Sequence, residues 1–149
     1  MLTGKDTAYG GSLMRPEAAG YGLVYFAREM RHTRRHDFEG QRAAVSGSGN
    51  VAQYAVYKAM ELGAKIVSVS DSGGTARLPQ GMNPEKWRSL IELKQLRRGR
   101  VRELAERNGL EYLPGARPWR LACNIALPCA TQNELDEADA RALVANGCM

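Results

Sequence analysis

The sequence predicts an α/β fold built on a doubly wound parallel sheet, because strand-like and helix-like segments alternate along it. Short apolar runs at residues 43–45 and 66–70 have the length and composition of buried strands, and residues 50–62 between them show helical periodicity. Strand, helix and strand in this order form a βαβ unit. Ligands of open parallel sheets bind in the crevice at the carboxyl ends of the strands, so we expect the functional site there.

The segment before the βαβ unit is predicted to contain one helix. Residues 1–15 are rich in glycine and show no period, which favours a loop. Pro16 suits the first position of a helix, and a helical pattern then continues into the basic run at residues 28–36. That run could bind phosphates, but cations at a helix end also complement the helix dipole and are more often solvated surface.

The segment after the βαβ unit is predicted to be mainly helical. Asn83, Pro84 and Glu85 supply the cap, the first-position proline and the first-turn acid that are typical of a helix start. The predicted elements are a turn at 72–75, helices at 83–100 and 101–108, strands at 111–113 and 124–128, and a last helix at 136–146. The length of 149 residues leaves room for one domain with a real core.

The turn after the first strand carries a glycine motif. Gly47 permits a sharp turn, Gly49 lets a pyrophosphate approach the backbone, and Ala52 stands where a third glycine often lies. This G-x-G-x-x-A spacing is the dinucleotide-binding fingerprint in its alanine form, and it makes the predicted sheet Rossmann-type. The candidate cofactor-binding residues of the turn are Gly47, Ser48, Gly49, Asn50 and Val51.

An acidic residue ends the second strand. Asp71 follows Gly49 by about 20 residues, the distance expected for a carboxylate that accepts a hydrogen bond from the adenosine ribose. The alternative is a flavodoxin-like or other α/β domain in which Asp71 merely caps a turn. Fingerprint and acid together favour the dinucleotide site.

Polar residues follow the last predicted strand, at the same edge of the sheet. Thr131, Gln132 and Asn133 offer hydroxyl and amide groups suited to a carboxamide or a ribose. We expect residues 47–51, 71–75 and 130–133 to converge there. The alternative for the third segment is helix capping, since Thr131 and Glu134 have the spacing of a capping box.

Composition narrows the class of protein. No apolar window is long enough to span a membrane and no signal-peptide core begins the chain, which predicts a cytoplasmic protein without a membrane partner. Cys123, Cys129 and Cys148 lack metal-site or disulfide spacing, and the two histidines have no acidic or cysteine partners, so we expect reduced thiols and no metal. The net charge of +5 fits a pocket for a phosphorylated ligand as well as a nucleic-acid partner, which we do not expect.

Several runs along the chain resemble one enzyme family. They are Leu2-Thr3-Gly4-Lys5, Tyr9-Gly10-Gly11-Ser12-Leu13, Arg15-Pro16-Glu17-Ala18, Gly20-Tyr21-Gly22, Ser46 to Ala55, Ser70-Asp71-Ser72 and Ala126 to Leu135. These runs are similar to the coenzyme domain of hexameric NADP-specific glutamate dehydrogenases, within the glutamate, leucine, phenylalanine and valine dehydrogenase superfamily. The resemblance implies reversible oxidative deamination of L-glutamate to 2-oxoglutarate and ammonia, with hydride transfer to NADP, in a homohexamer.

The resemblance also implies residue roles. Asn50 would contact the cofactor at the glycine turn, and Thr131, Gln132 and Asn133 would lie near the nicotinamide. The family positions around the adenosine 2′-phosphate correspond to Ser72, Lys94 and Arg97, with Arg100 as a further candidate. Asp71 favours NAD, because a carboxylate repels a phosphate dianion, but two cations and a serine donor can offset that repulsion. We therefore expect NADP, with NAD as the alternative.

The chain also departs from the family. Ala19 replaces a threonine whose hydroxyl would touch the nicotinamide carboxamide, a loss of about 1 kcal/mol of cofactor binding. The family's catalytic lysine and aspartate would precede Met1, and Lys5 and Asp6 match a connecting loop instead. The chain also stops where another parallel strand is due. We therefore expect a partial coenzyme domain over residues 1–149, with an incomplete sheet, that does not turn over glutamate by itself.

Three alternative functions remain open at this point. The first is another amino-acid dehydrogenase of the superfamily, acting on leucine, valine or phenylalanine. The second is a nucleotide-binding module without catalysis. The third is a nucleic-acid-binding protein that uses the arginine-rich segments, which would show a steep dependence of affinity on salt.

Overall fold

In the computed structural model, which describes residues 7–11 and 15–148, one five-stranded sheet organises the chain. The strands are β1 (Arg42–Val45), β2 (Lys65–Asp71), β3 (Gly74–Arg77), β4 (Glu111–Pro114) and β5 (Ile125–Leu127). The helices are α1 (Arg15–His32), α2 (Asn50–Glu61), α3 (Pro84–Ile91), α4 (Val101–Arg107) and α5 (Glu137–Ala145). Short 3-10 turns lie at Thr7–Tyr9 and Pro118–Arg120, and a π-helical turn at Glu92–Leu96 continues α3. The prediction of a loop over residues 1–15 lies mostly outside the described residues.

The sheet confirms the α/β class, but it is mixed and not wholly parallel. Its strand order is β4-β3-β2-β1-β5, and β1 pairs in parallel with both β2 and β5. Strand β3 is antiparallel to both of its neighbours, so it alone runs against the other four. Residues 72–75 were predicted as a turn, yet only Ser72 and Gly73 of these form one, and β3 begins at Gly74. A two-residue connection can join only antiparallel strands, which explains the reversed strand.

Helices cover both faces of the sheet, as a doubly wound fold requires. On one face, α1 to α4 pack over a large apolar cluster that contains Val45, Ile66 and Leu90. On the other face, α5 and the turn at Pro118–Arg120 pack over a smaller cluster around Trp119 and Leu143. Neighbouring residues of a strand point to opposite faces, so Ala43 and Ala44 enter different clusters. Among the described residues, no helix combines the length and the apolar character needed to cross a bilayer.

Helices α1 and α2 cross in close contact at Gly20. A Cβ on this residue would lie 2.7 Å from both the Ala55 nitrogen and the Val51 oxygen, which are backbone atoms of α2. Glycine is therefore required for this approach. Since Val51 lies in the first turn of α2, the crossing also fixes where the amino end of α2 sits.

Serine hydroxyls of β2 bind the carboxyl end of β1 beyond an irregularity in the pairing of the two strands. The register between them shifts at Ala43 and Ala44. Beyond that shift, the Ser68 hydroxyl accepts from the Val45 nitrogen at 3.1 Å, and the Ser70 hydroxyl accepts from the Gly47 nitrogen at 2.9 Å. Both serines are buried. These bonds satisfy N–H groups that regular strand pairing would otherwise use, and they anchor the turn that follows β1.

Most predicted helix bounds lie within two residues of the observed ones, but the cap of α5 was predicted wrongly. The Asp136 carboxylate accepts from the Asp139 nitrogen at 2.8 Å, so Asp136 caps the helix. Glu134 instead accepts from the Ala130 nitrogen at 3.0 Å, and the predicted box with Thr131 does not form. The Glu134 and Asp136 carboxylates both have a sequence spacing that allows them to take part in a helix cap. The arrangement of the loop before α5 determines that Asp136 caps the helix.

The helix crossing leads to a stability prediction. Gly20→Ala forces the α1 and α2 backbones apart, so we expect it to lower the free energy of unfolding by about 1–3 kcal/mol. Gly22→Ala is the matched control, because a Cβ there meets nothing within 4 Å. This control should gain about 0.5–1 kcal/mol from the better helix propensity of alanine. Urea unfolding of both variants measures the difference, and equal stabilities would contradict the close crossing.

The serine bridge leads to a second prediction. Ser70→Ala leaves the buried Gly47 N–H without its acceptor, so we expect a loss of about 1–3 kcal/mol in the free energy of unfolding. Ser89→Ala serves as control, because the Ser89 hydroxyl makes only a 3.5 Å contact with the Asn108 amide. That control should change stability by less than about 0.5 kcal/mol. A Ser70→Ala chain as stable as the unaltered one would show that the bridge does not hold the turn.

Candidate functional site

A cleft of about 380 Å³ opens at the carboxyl ends of β1, β2 and β5. Four loops form its walls, namely those that follow β1, β2, β4 and β5. The lining residues are Ser46, Ser70, Asp71, Ser72, Gly74, Gly115, Ala116, Arg117, Pro118, Ala130, Thr131, Asn133 and Glu134. The predicted convergence of loops at this edge is thus observed for 71–75 and 130–133. The wall formed by residues 115–118 was missed, although Pro114 and Gly115 after a strand are a signal for such a turn.

The glycine turn lies directly against the loop that follows β5. Gly47 is buried with φ +79°, and a Cβ there would lie 2.8 Å from the Cys129 carbonyl oxygen and 3.0 Å from the Ala130 Cα. The Ser46 hydroxyl accepts from the Cys129 nitrogen at 2.9 Å and holds the two loops together. Gly47 therefore serves two needs, a left-handed backbone and a close approach, and both exclude a side chain.

The amino end of α2 is open. Gly49 is its N-cap residue, is exposed, would place a Cβ in empty space, and has no side chain to cap the first N–H groups of the helix. Ser48 is buried, and its carbonyl accepts from the Gln53 amide at 2.9 Å. A bare helix start with this backbone geometry suits an anion.

Asn50, Val51 and Ala19 lie where α1 meets the start of α2. The Asn50 amide donates to the Pro16 carbonyl at the start of α1. Val51 is half-buried in the crossing beside Gly20, and Ala19 is exposed. Asn50 thus fastens α1 to the glycine turn, a structural role that the sequence did not reveal.

Asp71 caps two backbone segments. Its Oδ1 accepts from the Gly73 nitrogen at 2.8 Å and its Oδ2 accepts from the Val101 nitrogen at 2.9 Å. The carboxylate thereby joins the β2–β3 turn to the first residue of α4. These contacts agree with the alternative in which Asp71 caps a turn. A hydrogen bond between Asp71 and the adenosine ribose stays a prediction.

The cations predicted around Ser72 make different contacts, and their roles at a 2′-phosphate stay predictions. The Arg97 guanidinium pairs with the Glu92 carboxylate at 2.9 Å, at the end of the helical segment that continues α3. The Lys94 ammonium donates to the Gly99 carbonyl at 2.9 Å. Arg100, which the sequence offered only as a further candidate, donates to the Ser72 hydroxyl at 2.9 Å.

The loop after β5 presents exposed polar groups. Thr131, Gln132 and Asn133 are all exposed, and Asn133 adopts a left-handed backbone with φ +57°. Thr131 and Asn133 line the cleft, whereas Gln132 does not. Burial raises the pKa of the neighbouring Cys129 thiol to about 12, and the Glu134 carboxylate adds to the rise. That thiol stays protonated at neutral pH and is not a nucleophile.

Comparisons with known proteins agree with this geometry. The family model for glutamate, leucine, phenylalanine and valine dehydrogenases matches residues 10–149. The NADP-specific glutamate dehydrogenase of Escherichia coli is 56% identical over 147 residues, which are 99% of this chain and 33% of that protein. The corresponding enzyme of Haemophilus influenzae is 52% identical, again over 99% of this chain and 33% of its own length. The chain thus spans about a third of the length of these curated relatives.

A solved structure supports the same relationship. The crystal structure of Plasmodium falciparum glutamate dehydrogenase matches with a TM-score of 0.92 and 44% identity, over 99% of this chain and 32% of that chain. The mixed sheet, the glycine turn and the cleft beside it thus occur in a chain whose sequence matches the family model almost from end to end. The chain belongs to the glutamate, leucine, phenylalanine and valine dehydrogenase family.

Proposed function

We propose that this chain is the coenzyme-binding part of an NADP-dependent glutamate dehydrogenase. In that enzyme L-glutamate is oxidatively deaminated to 2-oxoglutarate and ammonia, and hydride passes to the nicotinamide of NADP. The names of the E. coli and H. influenzae relatives support glutamate over leucine, valine or phenylalanine. By the same resemblance, the complete protein is a cytoplasmic homohexamer without nucleic-acid or membrane partners.

One observation carries the proposal, namely the open amino end of α2 beside the cleft. The helix dipole and the uncovered N–H groups at Gly49 favour the negative pyrophosphate of a dinucleotide. Gly47, Ser48, Gly49, Asn50 and Val51 form this contact in the proposal. They act mainly through their backbone, because Ser48 is buried and the Asn50 amide already binds Pro16.

The choice of NADP over NAD depends on charge near Ser72. Arg100 already donates to the Ser72 hydroxyl, and its guanidinium retains further N–H donors for a 2′-phosphate. Lys94 is linked to the adjacent Gly99 carbonyl and adds a second positive charge nearby. The Asp71 carboxylate opposes phosphate, but it is stabilised by two backbone N–H groups and does not need a ribose hydroxyl. We therefore propose NADP, with Ser72, Lys94 and Arg100 as the phosphate contacts and Arg97 as an outer charge.

The nicotinamide half of the cofactor is proposed to lie between α1 and the loop after β5. Thr131, Gln132 and Asn133 supply the hydroxyl and amide groups that a carboxamide and a ribose require. Ala19 faces the same half in this proposal and lacks a hydroxyl, so it contributes no hydrogen bond. The affinity of the chain for the nicotinamide end is accordingly modest.

Titration calorimetry of the purified chain with NADP and with NAD tests the proposal. The titration is done at low ionic strength, because salt screens exposed charges. We expect NADP to bind about tenfold more tightly than NAD, the equivalent of one charge-assisted hydrogen bond at an exposed site. Tighter binding of NAD would mean that Asp71 determines the cofactor preference. If neither NADP nor NAD binds, the proposal is refuted.

Two matched variants identify the cation that gives the preference. Arg100→Gln should abolish most of the tenfold advantage of NADP while leaving NAD affinity unchanged, because NAD lacks the 2′-phosphate. Arg97→Gln is the control, since that guanidinium is paired with Glu92. Loss of the NADP preference in Arg97→Gln but not in Arg100→Gln would contradict the observed arrangement.

A further inference from the structure

A second cleft lies at the opposite edge of the sheet. Its volume is about 210 Å³, and its lining residues are Arg42, Lys65, Val67, Arg77, Pro79, Leu121 and Ala122. Strands β1 and β2 begin at this edge, and the reversed strand β3 ends there, so all three contribute a cation. The length of β2 separates this cleft from the glycine turn by about 20 Å. We name it the Arg42 cleft.

Arg42 and Lys65 carry like charges on neighbouring strands and line the same cleft. They are register partners on the neighbouring parallel strands β1 and β2, whose backbones lie about 5 Å apart. Both residues are exposed, and neither belongs to an ion pair between described residues. Adjacent like charges on paired strands destabilise each other. An anion held between them would relieve that repulsion.

Neighbouring segments anchor the Arg42 backbone and the stem of the Lys65 side chain. A Cβ on Gly81 would lie 2.8 Å from the Lys65 Cγ, so the Lys65 side chain lies directly against the turn that precedes α3. The Arg42 backbone exchanges two hydrogen bonds with Asn124, at 3.1 Å to its side-chain oxygen and 2.8 Å from its nitrogen. The two charges therefore extend from anchored positions and not from a loose loop.

The positive charge of Arg77, the third cation of the Arg42 cleft, is partly neutralised by an ion pair. Arg77 donates through one guanidinium nitrogen to the Glu111 carboxylate at 2.9 Å, and both side chains are about half exposed. That carboxylate lies at the rim and would repel an anion placed beside it. The other guanidinium nitrogen atoms of Arg77 remain as donors. The net attraction of the cleft thus comes from Arg42 and Lys65, with Arg77 as a hydrogen-bond donor.

We propose that the Arg42 cleft binds a small multivalent phosphate anion. Two uncompensated cations suit a dianion or trianion, and an arginine fork with a lysine point charge is a common phosphate-binding pair. The volume is below the range of about 300–1,000 Å³ that holds drug-sized ligands, so the occupant is a phosphate or pyrophosphate group and not a dinucleotide. This site is separate from the proposed cofactor cleft.

Pyrophosphate and inorganic phosphate are the probes for the test. The purified chain is first saturated with NADP, so that the glycine turn is occupied, and the probe is then titrated against sodium chloride of equal ionic strength. We expect both probes to raise the thermal unfolding midpoint beyond the effect of chloride, because they bind only the folded chain. We also expect shifts of the backbone amide resonances of Arg42, Lys65 and Arg77, which line the cleft.

Substitutions test whether pyrophosphate binds in the Arg42 cleft. Lys65→Gln and Arg42→Gln should each weaken pyrophosphate binding about tenfold. Arg88→Gln, which removes an exposed charge from α3, should leave it unchanged. The proposal is overturned if chloride stabilises the chain as well as pyrophosphate does, or if Lys65→Gln binds pyrophosphate normally. Amide shifts confined to residues 47–52 would likewise overturn it, because the anion would then occupy the glycine turn.

Discussion

The hydrogen bond from the Gly47 nitrogen to the Ser70 hydroxyl is the interaction on which the cleft depends. Strands β1 and β2 lose regular register before this point, and without the serine the turn after β1 would contain a buried, unpaired N–H. The bond fixes Gly47 against the Cys129 carbonyl, and that contact positions the loop after β5. The start of α2, the carboxyl end of β2 and the loop after β5 are thereby held around one opening.

The charged groups around that opening stabilise the structure as well as serving a proposed ligand. Asp71 joins the β2–β3 turn to α4, and Val101, whose nitrogen it binds, directly follows Arg100. The carboxylate therefore helps to place the cation that contacts Ser72. Asp71 is expected to disfavour a 2′-phosphate, yet it helps to position Arg100, which we propose to bind that phosphate. This coupling means that an Asp71 substitution would alter the fold of the loop along with its charge.

Local signals in the sequence sufficed for much of the fold, and tertiary contacts decided the rest. The fingerprint, the acid at Asp71 and the Asn83 cap are short-range patterns, and the elements they predict are observed. Strand β3 was missed because Gly74 continues the turn signal of Ser72 and Gly73, and only pairing with β2 and β4 makes the segment a strand. The sequence favoured Arg97 over Arg100 and could not show that Arg97 pairs with Glu92, because that pairing depends on the π-helical turn between α3 and α4.

The central claim is that a dinucleotide binds through the backbone of the glycine turn, with its adenosine end toward Ser72. Amide resonances of the isotope-labelled chain during titration with NADP test this most directly. The account predicts shifts at Gly47, Gly49 and Val51, at Ser72 and Arg100, and at Thr131 and Asn133. Shifts confined to other parts of the described chain, or none at saturating NADP, would contradict it.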